Sequence, residues 1–155
     1  MPGLTRAITD MDAAADYLAG RHDVEGRRML LGGVSRGGIA SIAYAGEHPN
    51  RFVGVINFVG GWVDDESGYA DAINRTIARR GGPFAKPTLW LYGENDPFYS
   101  ISHSRKNFEA FEAAGGTGIF HVFAMVDGQS GHGLASLPAY WQNAVQDYLE
   151  RLPGR

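Results

Sequence analysis

The chain has 155 residues, the size of one domain with room for a substantial core. Apolar residues make up 44% and charged residues 20%, as in globular proteins, and a net charge of −3 with no basic run speaks against nucleic acid or an anionic membrane as partner. No cysteine is present, which excludes disulfides and thiolate metal sites. No apolar run approaches the ~18–20 residues of a membrane span. Met1-Pro2-Gly3-Leu4-Thr5-Arg6 shows no signal-peptide core, so the sequence as it stands is expected to be soluble and cytoplasmic, its original localisation left open.

Leu4, Ile8, Met11, Ala15 and Leu18 recur at alternating steps of four and three, which predicts an amphipathic helix. Gly20 and Gly26 bracket the turn after it. Met29 to Val34 reads as a continuous apolar strand of the kind buried in a parallel sheet. A small-residue helix follows from about Arg36 to His48 and stops at Pro49. Phe52 to Val59 is a second strand, with Gly60-Gly61-Trp62 as its exit. Tyr69, Ile73 and Ile77 stripe a helix that ends at Gly81-Gly82-Pro83. Thr88 to Tyr92 is a third strand. Phe108 and Phe111 mark another helix, and Ile119 to Val126 a fourth strand. Leu137, Trp141, Ala144, Tyr148 and Leu152 stripe a last helix.

Strands alternating with helices predict an α/β fold in three layers, a mostly parallel sheet of about four strands flanked by helices. With strands in chain order, the crossover rule puts the connecting helices on one face. The last helix then covers the other face, a task suited to the bulk of Trp141 and Tyr148. No repeat or linker divides residues 1–155, which read as a single domain.

Between the first strand and its helix stands Gly33-Val34-Ser35-Arg36-Gly37, a G-x-S-x-G pattern in a strand–turn–helix context. The pattern alone also fits a plain glycine-rich turn; the context makes it a nucleophile elbow. Such a turn is expected to be so tight that only glycine fits on either side of Ser35. It pushes the serine hydroxyl out at the carboxyl end of the sheet and aims the Arg36 backbone N–H at a developing oxyanion.

A serine nucleophile needs a base, and the base needs an acid to orient it. In a parallel sheet both belong on loops after the carboxyl ends of strands. The third strand exits into Gly93-Glu94-Asn95-Asp96-Pro97, and Asp96 is the expected acid, with an Asx-turn as its structural alternative. Asp64 and Asp65, after the second strand, are rivals, and Glu94 is a weaker one. The fourth strand exits into Gly128-Gln129-Ser130-Gly131-His132-Gly133, and His132 is the expected base. His121 reads as a packed or edge residue, His48 as a helix-end residue, and His22 and His103 as surface residues. The order Ser35, Asp96, His132 is that of an α/β-hydrolase.

Gly33-Val34-Ser35-Arg36-Gly37-Gly38, Val55-Ile56-Asn57-Phe58-Val59-Gly60-Gly61-Trp62, Leu89-Trp90-Leu91-Tyr92-Gly93-Glu94-Asn95-Asp96 and Gly131-His132-Gly133 together resemble the carboxyl-terminal part of an α/β-hydrolase of the dienelactone hydrolase-related group. The resemblance runs over nearly the whole chain. It implies Ser35 as nucleophile, Asp96 as acid, His132 as base, and hydrolysis of small esters or lactones through an acyl-enzyme. Members of the group proper are usually cysteine enzymes, so Ser35 points to their esterase-like side. They also carry further strands before this point, and the second oxyanion donor comes from a loop there. The chain is therefore expected to be a fragment or a shortened hydrolase. Losing one such donor costs about 10²–10³ in rate, which leaves room for a slow, permissive esterase.

Trp62, Phe98 and Tyr99 follow strand ends and are candidates for the substrate pocket, or else pack their own loops. The Arg36 side chain could meet a substrate carboxylate or, more simply, pair with a nearby acid. No metal-ligand spacing appears, Gly115-Gly116-Thr117-Gly118 precedes a strand and is no phosphate loop, and no cofactor is expected. The expected partner is a small ester. The strand 29–34, left at an edge, is expected to make the chain a homo-oligomer. The competing readings are an inactive interaction module that keeps the elbow as a relic, and a half-domain that needs an amino-terminal partner.

Overall fold

The computed structural model describes residues 2–126 and 128–152; Met1, Asp127 and 153–155 lie outside them. Four strands, β1 (Leu30–Val34), β2 (Gly54–Phe58), β3 (Pro87–Gly93) and β4 (Thr117–Phe123), form one sheet in the order β1-β2-β3-β4. All three pairings are parallel, and the register sets Gly33 beside Asn57, Asn57 beside Trp90 and Trp90 beside Phe120. Helix α1 (Pro2–Ala19) precedes β1; α2 (Arg36–Glu47), α3 (Ala70–Arg80) and α4 (Ile101–Ala113) connect the strands, and α5 (Pro138–Glu150) follows the last.

Side chains of successive strand residues point to opposite faces, and β2 shows both. Asn57 faces α2, where a Cβ at Gly38 would lie 2.3 Å from its Oδ1. Phe58 points the other way and meets Trp141 of α5 edge-on at 5.1 Å. On the Asn57 face, Trp90 packs against Phe108 and Phe111 of α4. Helices α2, α3 and α4 pack successively beside one another, and α1 joins α2 through a cluster of Leu4, Ile39, Ala40, Ala43 and Ile77. The result is the three-layer α/β arrangement expected from the sequence.

Helix α5 is fastened through Tyr148, which is 1% exposed. Its hydroxyl accepts the Val55 N–H at 2.8 Å and donates to the Pro87 carbonyl at 2.7 Å, joining β2 and β3. Gly54 makes room for it, since a Cβ there would lie 2.2 Å from that hydroxyl.

Several boundaries differ from the sequence expectation. Strand β2 is shorter than 52–59, because Val59 leaves the extended region at φ +44°. Strand β4 begins two residues early, at Thr117, and ends at Phe123, where its pairing with Gly93 ends. Tyr69 is 62% exposed and caps α3 rather than joining its apolar stripe, and Leu152 falls in the turn after α5. Strand β1 is an edge: among the described residues no strand pairs with its outer side, and Leu30 and Val34 are exposed.

Candidate active site

Ser35 stands between β1 and α2 with φ 56° and ψ −124°, a conformation that side-chain-bearing residues rarely adopt. Its N–H donates to the Phe58 carbonyl at 2.9 Å. Its own carbonyl accepts from Gly38 at 2.9 Å, from Ile39 at 3.3 Å and from Gly61 at 3.3 Å. The strained turn is thus pinned from the helix and from the β2 exit. Of the glycines around it, Gly33 is required, because a Cβ there would lie 2.3 Å from the Gly37 carbonyl oxygen. Gly37 is not: a Cβ there meets nothing within 4 Å. The second required glycine is Gly38, against Asn57, which corrects the expectation of one forced glycine on each side of the motif. Arg36 opens α2, where first-turn N–H groups have no carbonyl one turn back and the helix dipole favours negative charge.

Strain recurs at the neighbouring strand exits. Val59 after β2 has φ 44° and Asn95 after β3 has φ 59°. Each non-glycine residue so placed costs about 1–3 kcal/mol, and all three stand at the carboxyl end of the sheet.

Asp96 follows Asn95 with its side chain 1% exposed. Oδ1 accepts the N–H groups of Phe98 at 2.8 Å and Tyr99 at 3.1 Å. Oδ2 lies 2.9 Å from His132 Nδ1. The turn-forming and histidine-orienting roles, read from sequence as alternatives, therefore coexist on separate oxygens. A carboxylate only accepts, so the imidazole proton sits on Nδ1 and Nε2 keeps its lone pair. The rivals lie elsewhere. Asp65 Oδ2 accepts the Ser100 N–H at 2.7 Å, and Asp64 accepts the Ser67 hydroxyl at 3.1 Å.

His132 lies in a short 3₁₀ turn, Gly131–Ser136, capped by Ser130, whose hydroxyl accepts the His132 N–H at 3.2 Å. Helix α5 steadies this turn: Trp141 Nε1 donates to the Leu134 carbonyl at 3.0 Å, and the Tyr140 hydroxyl accepts from Val126 N–H and donates to Gln129. The imidazole is 24% exposed, with the Phe98 ring edge-on to it at 4.7 Å. Val34, Ser35, Arg36, Phe98, Tyr99 and His132 line one cavity of about 390 Å³.

Trp62 does not line that cavity; it holds the Arg36 side chain. Arg36 Nε donates to the Trp62 carbonyl at 3.1 Å, and its guanidinium lies 5.7 Å from the indole centroid. The expected acid partner of Arg36 does not appear among the described ion pairs. His103 needs a second correction: it is 4% exposed, not a surface residue. Its Nδ1 lies 2.8 Å from Asp71 Oδ1, and its Nε2 accepts from Asn74 Nδ2 at 2.8 Å. Asn74 in turn accepts the Trp62 and Val63 N–H groups and donates to the Val63 carbonyl. Sequence reading missed this buried support of the β2 exit; its one signal was the i, i+3 spacing of Asp71 and Asn74 on α3. His22 is exposed, His48 caps α2 beside Tyr44, and His121 stacks on Phe123, as expected. No cluster of histidine and acidic residues able to hold a metal occurs among the described residues.

No family model matches the chain, and no curated protein does. Solved structures do. A protein assigned as a dienelactone hydrolase from Klebsiella pneumoniae is 21% identical, with a TM-score of 0.60 over 93% of this chain and 57% of its own. An esterase from Pyrococcus furiosus is 13% identical, with a TM-score of 0.69 over 95% of this chain and 62% of its own. Est1E from Butyrivibrio proteoclasticus, solved with ferulic acid bound, is 13% identical, with a TM-score of 0.69 over 96% and 68%. The chain spans less than two thirds of the length of the first two. The class that these likenesses define is one of fold: the chain has the α/β-hydrolase fold over the part that aligns.

Proposed function

We propose that this chain is a serine hydrolase of small carboxylic esters or lactones. The observation that carries this reading is the Asp96–His132 bond of 2.9 Å beside a strained Ser35, with serine and histidine lining one cavity. Ser35 Oγ attacks the ester carbonyl as His132 Nε2 takes its proton, and Asp96 steadies the imidazolium. The Arg36 N–H meets the tetrahedral oxyanion. His132 then protonates the leaving alcohol, which departs and leaves an acyl-Ser35. Water, deprotonated by His132, hydrolyses that ester and restores the serine. The exposed Phe98 forms the apolar wall for the substrate, with the buried Tyr99 behind it, and Trp62 acts through Arg36. A cavity of about 390 Å³ suits small esters, and the esterases of like fold support the reaction class.

The test is hydrolysis of p-nitrophenyl acetate and butyrate by the purified chain beside Ser35→Ala and His132→Ala. Turnover abolished by both substitutions is the expected result; a rate equal in all three proteins would refute the proposal. The open outer edge of β1 favours one further reading, a half-domain completed by a separate segment. Activity appearing only when such a segment is added would select it.

A further inference from the structure

Tyr99 is bound to every part of this site. Its side chain is 4% exposed. Its N–H donates to Asp96 Oδ1 at 3.1 Å, its ring lies 5.6 Å from the His132 ring, and its hydroxyl donates to the Gly61 carbonyl at 2.9 Å. Gly61 in turn donates its N–H to the Ser35 carbonyl at 3.3 Å. The ring and the Gly61 backbone are in direct contact, since a Cβ on Gly61 would lie 2.3 Å from Tyr99 Cε1. Burial raises the Tyr99 phenol above its ordinary value, against an opposing hydrogen bond from Ser35, so the group remains a donor at neutral pH.

We propose that Tyr99 is a positioning residue that ties the acid, the base and the nucleophile's turn into one rigid unit. This rests on the hydrolase reading of the same site. Ser35, Asp96 and His132 sit on three separate loops, and the Ser35 turn is strained. Something must hold the loops in register, because a misplacement of ~1 Å in a reacting group can cost about 10² in rate. One residue does this, anchored to Asp96 by its main-chain N–H and to Gly61 and Ser35 by its hydroxyl. A residue so buried offers a substrate little surface, so its effect falls on the chemical step rather than on binding.

The experiment compares the full chain with Tyr99→Phe and Tyr99→Leu, using p-nitrophenyl acetate and a fluorophosphonate to count competent sites. Tyr99→Phe keeps the ring on His132 and removes the two bonds of the hydroxyl, to the Gly61 carbonyl and to the Ser35 side chain. Its kcat per titrated site is expected to fall about ten-fold or more with KM within about two-fold, and Tyr99→Leu to fall further. Proton NMR of the His132 Nδ1–H resonance gives a readout that needs no turnover. It is expected to broaden in Tyr99→Phe as the Asp96 loop loosens. A raised KM with unchanged kcat would make Tyr99 a pocket wall and overturn the proposal, as would kcat and resonance both unchanged. If the native chain shows no Ser35-dependent turnover, the hydrolase reading fails, and the resonance alone decides for or against the positioning role.

Discussion

Asp96 Oδ2 accepts the Nδ1 proton of His132 at 2.9 Å while Oδ1 of the same carboxylate is held by two backbone N–H groups. That division makes Asp96→Asn a sharp test. The carboxamide oxygen keeps the Phe98 and Tyr99 N–H groups, so its NH₂ must face His132. The imidazole then moves its proton to Nε2 and can no longer take one from Ser35. We expect kcat to fall by about 10⁴ with KM and folding retained. Ester turnover within ten-fold of the native rate would remove Asp96 from the proposed acid role.

The strain at Ser35 can be read as stability. Ser35→Ala and Ser35→Gly both remove the hydroxyl, but only glycine relieves the backbone at φ 56°. Relief of about 1 kcal/mol corresponds to roughly 2–4 °C in a domain of this size. Thermal unfolding is expected to place Ser35→Gly above Ser35→Ala by that margin. Equal midpoints would mean that the turn stores no strain at this residue.

The strained turn at Ser35 and the Asp96–His132 pair, proposed here as acid and base, were legible because each depends on local chemistry. Gly33 to Gly38 encode a turn, Asp96 sits before a proline at a strand exit, and His132 lies in a glycine loop with nothing apolar to join. His103 was not legible, because its surroundings come from α3, distant in sequence and adjacent in space. The same holds for Arg36, whose partner is a backbone carbonyl on the β2 exit rather than an acid. Gly37 shows the converse: the motif contains it, yet space does not demand it.

Of the four described aspartates held below the usual carboxylate range, Asp23 pairs only with its neighbour Arg21, whereas the other three join segments distant in sequence and are expected to carry the response to acid. The Tyr44 hydroxyl, with Arg51, holds Asp12 below the usual carboxylate range. Burial pushes Asp65 and Asp71 upward, but hydrogen bonds from Ser100 to the first, and from His103 and Lys106 to the second, more than offset it. All three are thus more acidic folded than unfolded. Their contribution is full above the unfolded value of ~3.9 and is lost as pH falls through the lower folded values. The unfolding midpoint is expected to stay level down to about pH 5 and to drop below about pH 4. Asp65→Asn should lower the midpoint at neutral pH and converge with the native chain in strong acid. A difference that persists there would show that the Asp65 charge is not what stabilises the fold.

Tyr148 predicts a cost with no loss of apolar packing. Tyr148→Phe leaves the Val55 N–H and the Pro87 carbonyl without their phenol partner in the interior. Orphaned buried groups cost about 1–3 kcal/mol, so urea unfolding should show a loss of that size at unchanged slope. The site lies at the other end of the strands, and ester turnover of the folded variant is expected to be unchanged. A neutral substitution would mean that water reaches these groups and that α5 is held by its rings alone.

The β1 edge bears on association. Leu-Leu-Gly-Gly-Val carries no charge to discourage pairing, and Leu30 is 39% and Val34 45% exposed. Beside it an apolar groove of about 230 Å³ runs between α1 and β1, lined by Met11, Leu18, Met29, Leu30 and Phe52 among others. We propose a second copy as its occupant: antiparallel pairing about Gly32 would set Leu30 of one chain beside Val34 of the other, each edge satisfying its twin under one two-fold axis. Sedimentation velocity is expected to show a concentration-dependent dimer, and Leu30→Lys to shift it to monomer. A native chain that is monomeric at every concentration would leave this edge to another occupant and end the proposal of a homodimer.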